Sequence, residues 1–447
     1  RDFNVELSLT FLFENPTVSA LAEEIDAGSR GAAVGKFERR PDRLALSYAQ
    51  SRLWFLDQWS PGSSFYNIAD AWRVRGPLNV AALTRAVEEV VRRHEVLRTR
   101  FTSAGGEPEQ VIDPFEAAAV RLQMADVSLV DAYAREGALG RIVEEEAQAP
   151  FDLSTGPLLR ATLVCCGTEE HVLLLVMHHI VSDGWSVGVM TNELSSLYRT
   201  YVEGRASDLP PLPTQYADFT LWQRRALAGD VDERLAAYWR QQLAGIQLLD
   251  LPTDRPRPIL QSFRGRSLTF QIGEKLTERL EALSKREGVT LYMTLLATFQ
   301  ILLHRYSGQE DITLGSPIAN RNRPEIEALI GFFVNSLVLR SRIDRAATFL
   351  EFLTKVRKTT LEAFEHQDFP FERLVEILQP ERDPGRNPLF QVMFALQNTP
   401  NNRFELLDAD VKYQEVNSKA TRFDLEIYLS PDSGALRGFC CYAADLF

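Results

Sequence analysis

Residues 172–184 read VLLLVMHHIVSDG and decide much of the expected fold. The first six positions are an uninterrupted apolar run, which is typical of a β-strand buried on both faces. The run leads directly into His178 and His179, and Asp183 and Gly184 follow shortly afterwards. A strand end that opens into a loop and a helix start is a usual place for functional groups in α/β proteins. The stretch therefore predicts both a central strand and a candidate site at its end.

The two histidines and Asp183 are expected to have different tasks. Because successive side chains of an extended segment point to opposite faces, only one histidine can face a given cavity and the other faces the core. Asp183 can cap the following helix and can also pair with an arginine from elsewhere. From these residues alone, the stretch is compatible with a capped helix and two hydrogen-bonded histidines, with a catalytic site, or with a metal site. Diverging neighbours and the absence of nearby cysteines disfavour the metal.

Strands alternate with helices on both sides of this stretch, which predicts an α/β protein. The predicted helices cover 45–56, 80–93, a segment after Gly184, 275–287, 291–306 and 349–364, and the predicted strands cover 172–177, 268–272, 312–316 and 334–343. At 447 residues the chain exceeds the usual single-domain length, so more than one domain or lobe is expected. Short helices are predicted within 3–27, and the small, Gly-rich and charged composition of 28–42 is typical of a linker.

Composition excludes several functional classes. Lys plus Arg is 49 and Asp plus Glu is 61, which gives a net charge of −12. An acidic chain without a long basic run is a poor candidate for binding nucleic acid or an anionic membrane. No apolar stretch approaches the ~18 residues of a membrane span. The four cysteines form two adjacent pairs without the spacing of a zinc or redox motif, so a reducing, cytoplasmic location is expected.

Seven ordered stretches resemble the core motifs of one family, the condensation domains of nonribosomal peptide synthetases. They are SYAQSRLWFL at 47–56, RHEVLRTRF at 93–101, HHIVSDG at 178–184, YADFTLW at 216–222, IGFFVNSLVLR at 330–340, HQDFPFE at 366–372 and RDPGRNPL at 382–389. The third matches the family signature HHxxxDG. The resemblance covers about residues 43–447, and seven motifs in order are not explained by a capped helix, a turn or a core stripe taken singly.

The resemblance implies an α/β fold of two chloramphenicol-acetyltransferase-like lobes arranged as a V-shaped pseudo-dimer with a central tunnel. Residues 43–215 are assigned to the N-lobe and residues 216–447 to the C-lobe. Segments around 366–398 are expected to cross from one lobe to the other.

The implied reaction is amide formation, in which the amine of an acceptor aminoacyl thioester attacks the thioester carbon of a donor. By resemblance His179 is the catalytic residue that faces the tunnel, either as a base or as a positioning group. His178 and Asp183 then support the site, and Arg321 is the expected partner of Asp183. The backbone N–H of Gly184, at a helix start, is a further candidate that could assist an oxyanion.

Carrier proteins are the implied partners. Residues 1–27 resemble the C-terminal helices of a peptidyl carrier protein, whose Ser bears the phosphopantetheine arm; that attachment Ser is expected upstream of this chain. The cofactors are thus the phosphopantetheine arms of an upstream donor carrier and a downstream acceptor carrier, with an adenylation domain adjacent. No metal, no nucleic acid and no membrane partner is expected.

The amino-acid sequences of the motifs also indicate the subtype and distinguish condensation from rival functions. The stretches 182–186 and 331–340 resemble the class that joins an L-configured donor to an L-configured acceptor, while a D-donor class and a dual-function class remain open. Asn335 is assigned to support of the site. The wording around Trp185 and Asn335 argues against an epimerisation domain, and the retained first histidine argues against a heterocyclisation domain. The carrier-like segment disfavours an acyltransferase that uses free coenzyme A. Family members that only recruit partner enzymes usually lack the histidine present here as His179.

Overall fold

The described part of the chain is nearly all of the predicted lobes. The computed structural model describes residues 11–12, 15, 17–27, 34–37, 39–117, 120–381, 383–397, 404–416 and 420–447. The carrier-like segment 1–27 and the linker 28–42 are therefore described only in part, and Arg382 of the seventh motif lies outside the described residues. None of the described helices is both long enough and apolar enough to cross a membrane.

Helices and strands alternate along the chain as the apolar periodicity predicts. The α-helices are α1 Val18–Ala27, α2 Tyr48–Trp59, α3 Val80–Arg93, α4 Ala132–Gln148, α5 Gly184–Val202, α6 Tyr216–Ala226, α7 Asp230–Gln242, α8 Glu274–Arg286, α9 Leu291–Ser307, α10 Pro324–Glu327, α11 Phe349–Glu365 and α12 Phe371–Leu378. The strands are β1 Leu44–Ala45, β2 Asn67–Arg75, β3 Thr99–Ala104, β4 Glu107–Ile112, β5 Leu122–Asp126, β6 Leu159–Gly167, β7 Glu170–His178, β8 Gly265–Ile272, β9 Asp311–Ile318, β10 Asn335–Arg342, β11 Val392–Leu396, β12 Asp410–Gln414, β13 Leu425–Asp432 and β14 Ala435–Ala443.

The first large sheet is built around the apolar strand that opened the sequence. Its order is β12-β2-β7-β6-β5, with β7 in the centre between β2 and β6. The side chains of β7 are buried along nearly its whole length, as a continuous apolar run predicts. Helices α3 and α5 pack together on this lobe. Because β7 is central and rigid, the chain that leaves its end is held at a fixed place.

The second large sheet belongs to the second half of the chain. Its order is β10-β9-β11-β13-β14-β8, and α11 packs against β10 while α9 packs against α11 and β9. A smaller sheet of order β1-β4-β3 completes the first lobe. Each large sheet with its helices encloses a separate hydrophobic core, so the chain has two lobes.

One strand of the first sheet comes from the second half of the chain. β12 pairs antiparallel with β2, so that Asp410 lies opposite Arg75 and Gln414 opposite Ala71. The predicted crossing segment, 366–398, is therefore placed too early. Within it, β11 stays in the second sheet, where its apolar residues pair in parallel with β13, and α12 packs on α2 of the first lobe.

The two cores also interleave across the predicted lobe boundary at 215/216. The first core includes Tyr216 and Phe219 of α6, and, from farther along the second half, Ile330, Phe333, Phe404 and Leu406. The buried apolar side chains of 227–249 belong to the second core. The division at 215/216 stays a prediction, and the interleaving shows that the lobes share more chain than a single cut implies.

Candidate active site

The candidate site lies where β7 ends and α5 begins. His178 is the last residue of β7, residues 179–181 form a single 3₁₀ turn, and Asp183 is the N-cap of α5. The turn is supported from α2, because the buried Gln50 side chain donates to the carbonyl of Ile180 at 3.3 Å. Gln50 also forms a capping box with Ser47 at the start of α2. The first motif therefore fixes the position of the third.

His178 faces the core. It is 2% exposed, and its Nδ1 accepts a hydrogen bond from the backbone N–H of Ile180 at 3.1 Å. Burial, together with the positive charge of Arg422, lowers the pKa of His178 to about 3. The imidazole is therefore neutral at physiological pH and acts here as a hydrogen-bond acceptor that shapes the turn.

His179 points the other way and is partly exposed. Its backbone N–H donates to the carbonyl of Tyr66 at 2.7 Å, and its Nδ1 donates to the carbonyl of Ser182 at 2.8 Å. A carbonyl oxygen can only accept, so the neutral ring carries its proton on Nδ1 and keeps a lone pair on Nε2. The ring also meets the ring of Phe332 edge to face, with centroids 4.8 Å apart. The divergence predicted from strand geometry is present.

The surroundings of His179 keep it uncharged. Burial lowers its pKa well below the ordinary value of 6.5, the charge of Arg422 lowers it further, and the bond to Ser182 opposes these effects in part. A histidine with a lowered pKa is a weak base, but its Nε2 stays unprotonated at physiological pH and can accept a hydrogen bond. This geometry suits acceptance of a hydrogen bond from an attacking amine more than removal of a proton from an ammonium ion.

Asp183 is fully buried and accepts four hydrogen bonds. Its Oδ1 accepts from the Ser186 N–H at 2.8 Å, from the Ser186 hydroxyl at 2.7 Å and from Arg321 Nη2 at 3.0 Å, and its Oδ2 accepts from the Phe333 N–H at 3.0 Å. The predicted helix cap and the predicted pairing with Arg321 are both present. Both carboxylate oxygens therefore bind protein donors, and the supporting role assigned to Asp183 stays a prediction.

Arg321 ties the second half of the chain to this cap. Its side chain is 1% exposed, and Nη1 donates to the carbonyls of Ile326 at 2.9 Å and Leu329 at 2.6 Å. The guanidinium also lies 4.1 Å above the centroid of the Phe333 ring. A buried guanidinium needs such partners, because an unsatisfied buried charge is costly. Asp183 and Arg321 together hold residues 326–333 against α5.

Residues 330–333, which we call the bridging segment, are gripped by first-lobe side chains that sequence reasoning missed. The Ile330 N–H donates to His94 Nδ1 at 3.3 Å, and the Gly331 N–H donates to the Ser186 hydroxyl at 3.0 Å. The Tyr216 hydroxyl donates to the carbonyl of Phe332 at 2.6 Å. These bonds fix the ring of Phe332 against His179. The sequence signal was the polar residues within the second and fourth motifs, but their partner could not be read from spacing.

Gly184 and Asn335 take different places. Gly184 begins α5 and is exposed, and a Cβ at this position would meet no atom within 4 Å. Its part in stabilising an oxyanion stays a prediction. Asn335 is a clamp: Nδ2 donates to the carbonyls of Gln367 and Phe369, both at 2.8 Å, and Oδ1 accepts from the Phe371 N–H at 3.0 Å. It therefore orders the sixth motif.

A narrow cleft lies between the lobes beside this site. Ser47 and Ala49 line it from the first lobe, and Asn320, Asn335 and Glu372 line it from the second. Phe332, whose ring contacts His179, forms part of the same wall. Burial raises the pKa of Glu372, which Arg52 opposes from 3.8 Å away. A central tunnel open at both faces stays a prediction.

The sequence and the fold of this chain are similar to those of known proteins. The family model described as "Condensation domain" matches residues 41–447. One of the linear gramicidin synthase proteins of Brevibacillus parabrevis is 45% identical, and the match spans 100% of this chain but 6% of the length of that protein. The X-domain from teicoplanin biosynthesis superposes with a TM-score of 0.84 at 29% identity, over 93% of each chain. The condensation domain of the monacolin K polyketide synthase MokA superposes at 0.77 and 25% identity, over 91% of this chain and 93% of that one.

These similarities extend over both lobes and include the strand end that carries His179. The fold is accordingly the mixed α/β pseudo-dimer of chloramphenicol-acetyltransferase type that the motifs led us to expect. The chain therefore belongs to the condensation domain family, the amide-bond-forming acyltransferases of nonribosomal peptide synthetases.

Proposed function

We propose that this chain joins a donor aminoacyl or peptidyl thioester to the amine of an acceptor aminoacyl thioester. The observation that carries the proposal is the tautomer of His179. Because Ser182 holds the proton on Nδ1, the lone pair lies on Nε2, and the residue as a whole is partly exposed. An amine that donates to Nε2 is held with its own lone pair ready for attack.

The chemistry asks little more of the protein. The amine lone pair forms the C–N bond, the carbonyl electrons move onto oxygen and return, and the C–S bond breaks to release the donor thiol. The amine proton leaves through His179 or water. Positioning of two tethered reactants can supply on the order of 7–11 kcal/mol of the barrier, so alignment is the larger part of the catalysis.

The reactants are proposed to arrive on phosphopantetheine arms, the donor on an upstream carrier protein and the acceptor on a downstream carrier protein beside an adenylation domain. The length of the relatives supports this arrangement, since the chain spans 6% of the length of its linear gramicidin synthase relative. These arms are substrates here and not resident cofactors. We also propose a cytoplasmic location, supported by four cysteines that are all free thiols.

The test is reconstitution with two separate carriers. A donor carrier loaded with one aminoacyl group and an acceptor carrier loaded with another are mixed with the chain, and the acceptor carrier is weighed by mass spectrometry. A dipeptidyl mass on the acceptor supports the proposal. Unchanged acceptor, with carriers proven to be loaded and the chain proven to be folded, contradicts it.

Stereochemistry is the next question for the same assay. We propose an L-configured donor and an L-configured acceptor, on the wording of residues 182–186 and 331–340. Parallel reactions with L- and D-loaded donors decide this. Faster product from the D-donor would assign the chain to the D-donor class.

A recruiting role is a second candidate, because the X-domain from teicoplanin biosynthesis has a closely similar fold and was also solved in complex with OxyB. A recruiting role predicts a different result in the two-carrier assay. The chain would bind another enzyme, and no dipeptidyl group would form on the acceptor carrier. The histidine pair at 178–179 and the tautomer of His179 favour catalysis.

A further inference from the structure

Arg422 occupies an anchored position just before β13 of the second sheet. Its backbone N–H donates to Glu426 Oε1 at 2.8 Å. Its carbonyl accepts from Gln261 Nε2 at 3.1 Å and also from the side-chain amide of Asn387. Three bonds to the backbone of one residue fix where its side chain starts. The residue is therefore placed by the fold, and its guanidinium is not simply a surface charge.

The guanidinium reaches across to the first lobe. Its central carbon lies 5.5 Å from the ring centroid of Tyr66 and 6.0 Å from that of Phe65. Phe65 also packs on Phe263 of the second lobe, with centroids 4.4 Å apart. Tyr66 is the residue whose carbonyl holds the backbone N–H of His179 at 2.7 Å. Arg422 thus faces the strand end that carries the two histidines.

This cation has no anionic partner in the part of the chain that the structure describes. No carboxylate there lies within 4.0 Å of its guanidinium nitrogens, whereas the more deeply buried Arg321 is paired with Asp183. Asp424, the nearest carboxylate by sequence, is paired with Arg257. Glu426 already accepts from the Thr421 hydroxyl at 2.8 Å and the Tyr428 hydroxyl at 2.6 Å. A partly exposed guanidinium without a counter-ion keeps its N–H donors available to a ligand.

The electrostatic reach of Arg422 agrees with this placement. Its charge is the second cause, after burial, of the lowered pKa of both His178 and His179. A cation that disfavours a positive charge on His179 must by the same interaction favour a negative charge formed beside that ring.

We propose that Arg422 is a further catalytic residue, whose guanidinium binds a negatively charged oxygen of the substrate beside His179. This inference rests on the proposed function. The oxygen it fits best is that of the donor thioester, which gains negative charge when the amine forms the C–N bond and loses it when the C–S bond breaks. The second source of an anionic oxygen is the phosphodiester of the phosphopantetheine arm, which lies at the far end of the arm from the thioester.

The test compares Arg422→Met and Arg422→Lys with wild type. Arg437→Met is the matched control, because Arg437 is an exposed arginine of the same sheet, on β14. Each protein is assayed with carrier-tethered donors and with donor N-acetylcysteamine thioesters, which contain no phosphate. For binding of the thioester oxygen we expect Arg422→Met to lower kcat on the order of 100-fold with both donors. Arg422→Lys should recover part of that loss.

The other results have defined meanings. A raised KM confined to the carrier-tethered donor would assign the anionic oxygen to the phosphate. Wild-type kcat and KM of Arg422→Met with both donors would overturn the inference. Wild-type protein that gives no product would instead contradict the proposed function, so the two failures are distinguishable. Equal thermal melts of the three variants exclude a folding defect as the cause.

A pH profile separates this role from a structural one. Arg422 and, to a smaller extent, His178 lower the pKa of His179 through their charges. Removal of the Arg422 charge raises the pKa of His179, so the acidic limb of kcat should move to higher pH in Arg422→Met and not in Arg437→Met. A lowered kcat with an unmoved limb would show that Arg422 acts only through packing.

Discussion

The ring of His179 must be held in one orientation by its Nδ1 while its Nε2 stays free to bind the acceptor amine. Its partly exposed ring makes one side-chain bond, to Ser182. We expect His179→Ala to abolish or severely reduce product in the two-carrier assay. The loss of one hydrogen bond should cost about 1 kcal/mol of unfolding free energy, so the thermal melt should hardly change. His304→Ala, on α9, is the control and should retain activity. Near-wild-type condensation by His179→Ala would mean that alignment of the arms suffices.

The lowered pKa of His179 also makes a prediction about pH. Protonation would place a proton on Nε2 and block the lone pair, but it occurs only well below the ordinary pKa of 6.5. We therefore expect His179 to contribute no acidic limb to kcat between pH 6 and pH 8 in single-turnover measurements. A fall of kcat in this range should instead follow the acceptor ammonium, whose ordinary pKa is about 8. A kcat that falls by half near pH 6.5 and follows one proton would show that the ring is more solvated than its contacts indicate.

Asp183 should behave in the opposite way to His179. Asp183→Ala leaves the guanidinium of Arg321, 1% exposed, without its carboxylate. Loss of one partner of a buried pair costs roughly 3–5 kcal/mol, so the melting temperature or solubility should fall markedly. Thermal melts of Asp183→Ala and His179→Ala decide the matter. Equal, small shifts for both would return Asp183 to the residues that face substrate.

The sequence predicted the local geometry of the residues in the stretch 178–184 well, but it predicted few of the residues that contact them. Alternation along an extended segment separates His178 from His179, and a helix start explains the cap at Asp183. The pairing with Arg321 came from family resemblance. Arg422 and His94 were not assigned to the site, because their roles depend on a backbone that arrives from distant sequence. No sequence pattern pointed to Arg422, a single arginine between Thr421 and Phe423.

At the scale of elements, the edge where β12 joins β2 contains an unusual carboxyl group. Asp70 of β2 accepts from the Tyr413 hydroxyl of β12 at 3.2 Å. Burial raises the pKa of Asp70 from its ordinary value of 3.8 to about 6, and the Tyr413 bond opposes the rise. Because the folded pKa is the higher one, the stability from this group is fully present below about pH 4 and is lost as pH rises through about 6.

Asp70→Asn should remove this pH dependence. We expect the variant to be more stable than wild type by about 1–3 kcal/mol at pH 7 and nearly equal to it near pH 4. Urea unfolding at several pH values measures the difference, with Asp410→Asn on exposed β12 as the control. A gap that does not grow with pH would show that folding does not raise the pKa of Asp70.

The elements themselves were largely predictable, and their pairing was not. Apolar periodicity placed α3 at 80–93 and α9 at 291–306, and the structure has Val80–Arg93 and Leu291–Ser307. These helices are long and amphipathic, so local sequence suffices. β12 reads DVKYQ, a mostly polar pattern of an edge strand, and its partner is chosen by the free edge of β2 far away in sequence. Sequence alone gives no register for such a pair.

At the scale of the whole molecule, the shared edges predict that the halves do not fold separately. A fragment of residues 43–215 lacks β12, Phe404 and Leu406, all of which complete the first lobe. Its unpaired β2 edge should aggregate or remain loosely packed, because an exposed edge strand pairs with other chains. Size-exclusion chromatography and thermal unfolding of 43–215, of 216–447 and of their mixture check this. Two monomeric fragments with cooperative melts would restore 215/216 as a true domain boundary.

The pairing of β12 with β2 also affects the order in which the two lobes can fold during synthesis. Tyr413 and its partner Asp70 are 343 residues apart in the chain. On the ribosome the first lobe must wait with an open sheet until nearly all of the second has emerged, and contacts of such long range form slowly. Translation pauses or chaperones that shield β2 during this interval should therefore raise the yield of native protein. In a recombined synthetase joined between the lobes, the first lobe comes from one parent and β12, which completes its sheet, comes from the other. Folding of such a chimera therefore depends on how well β12 of one parent pairs with β2 of the other.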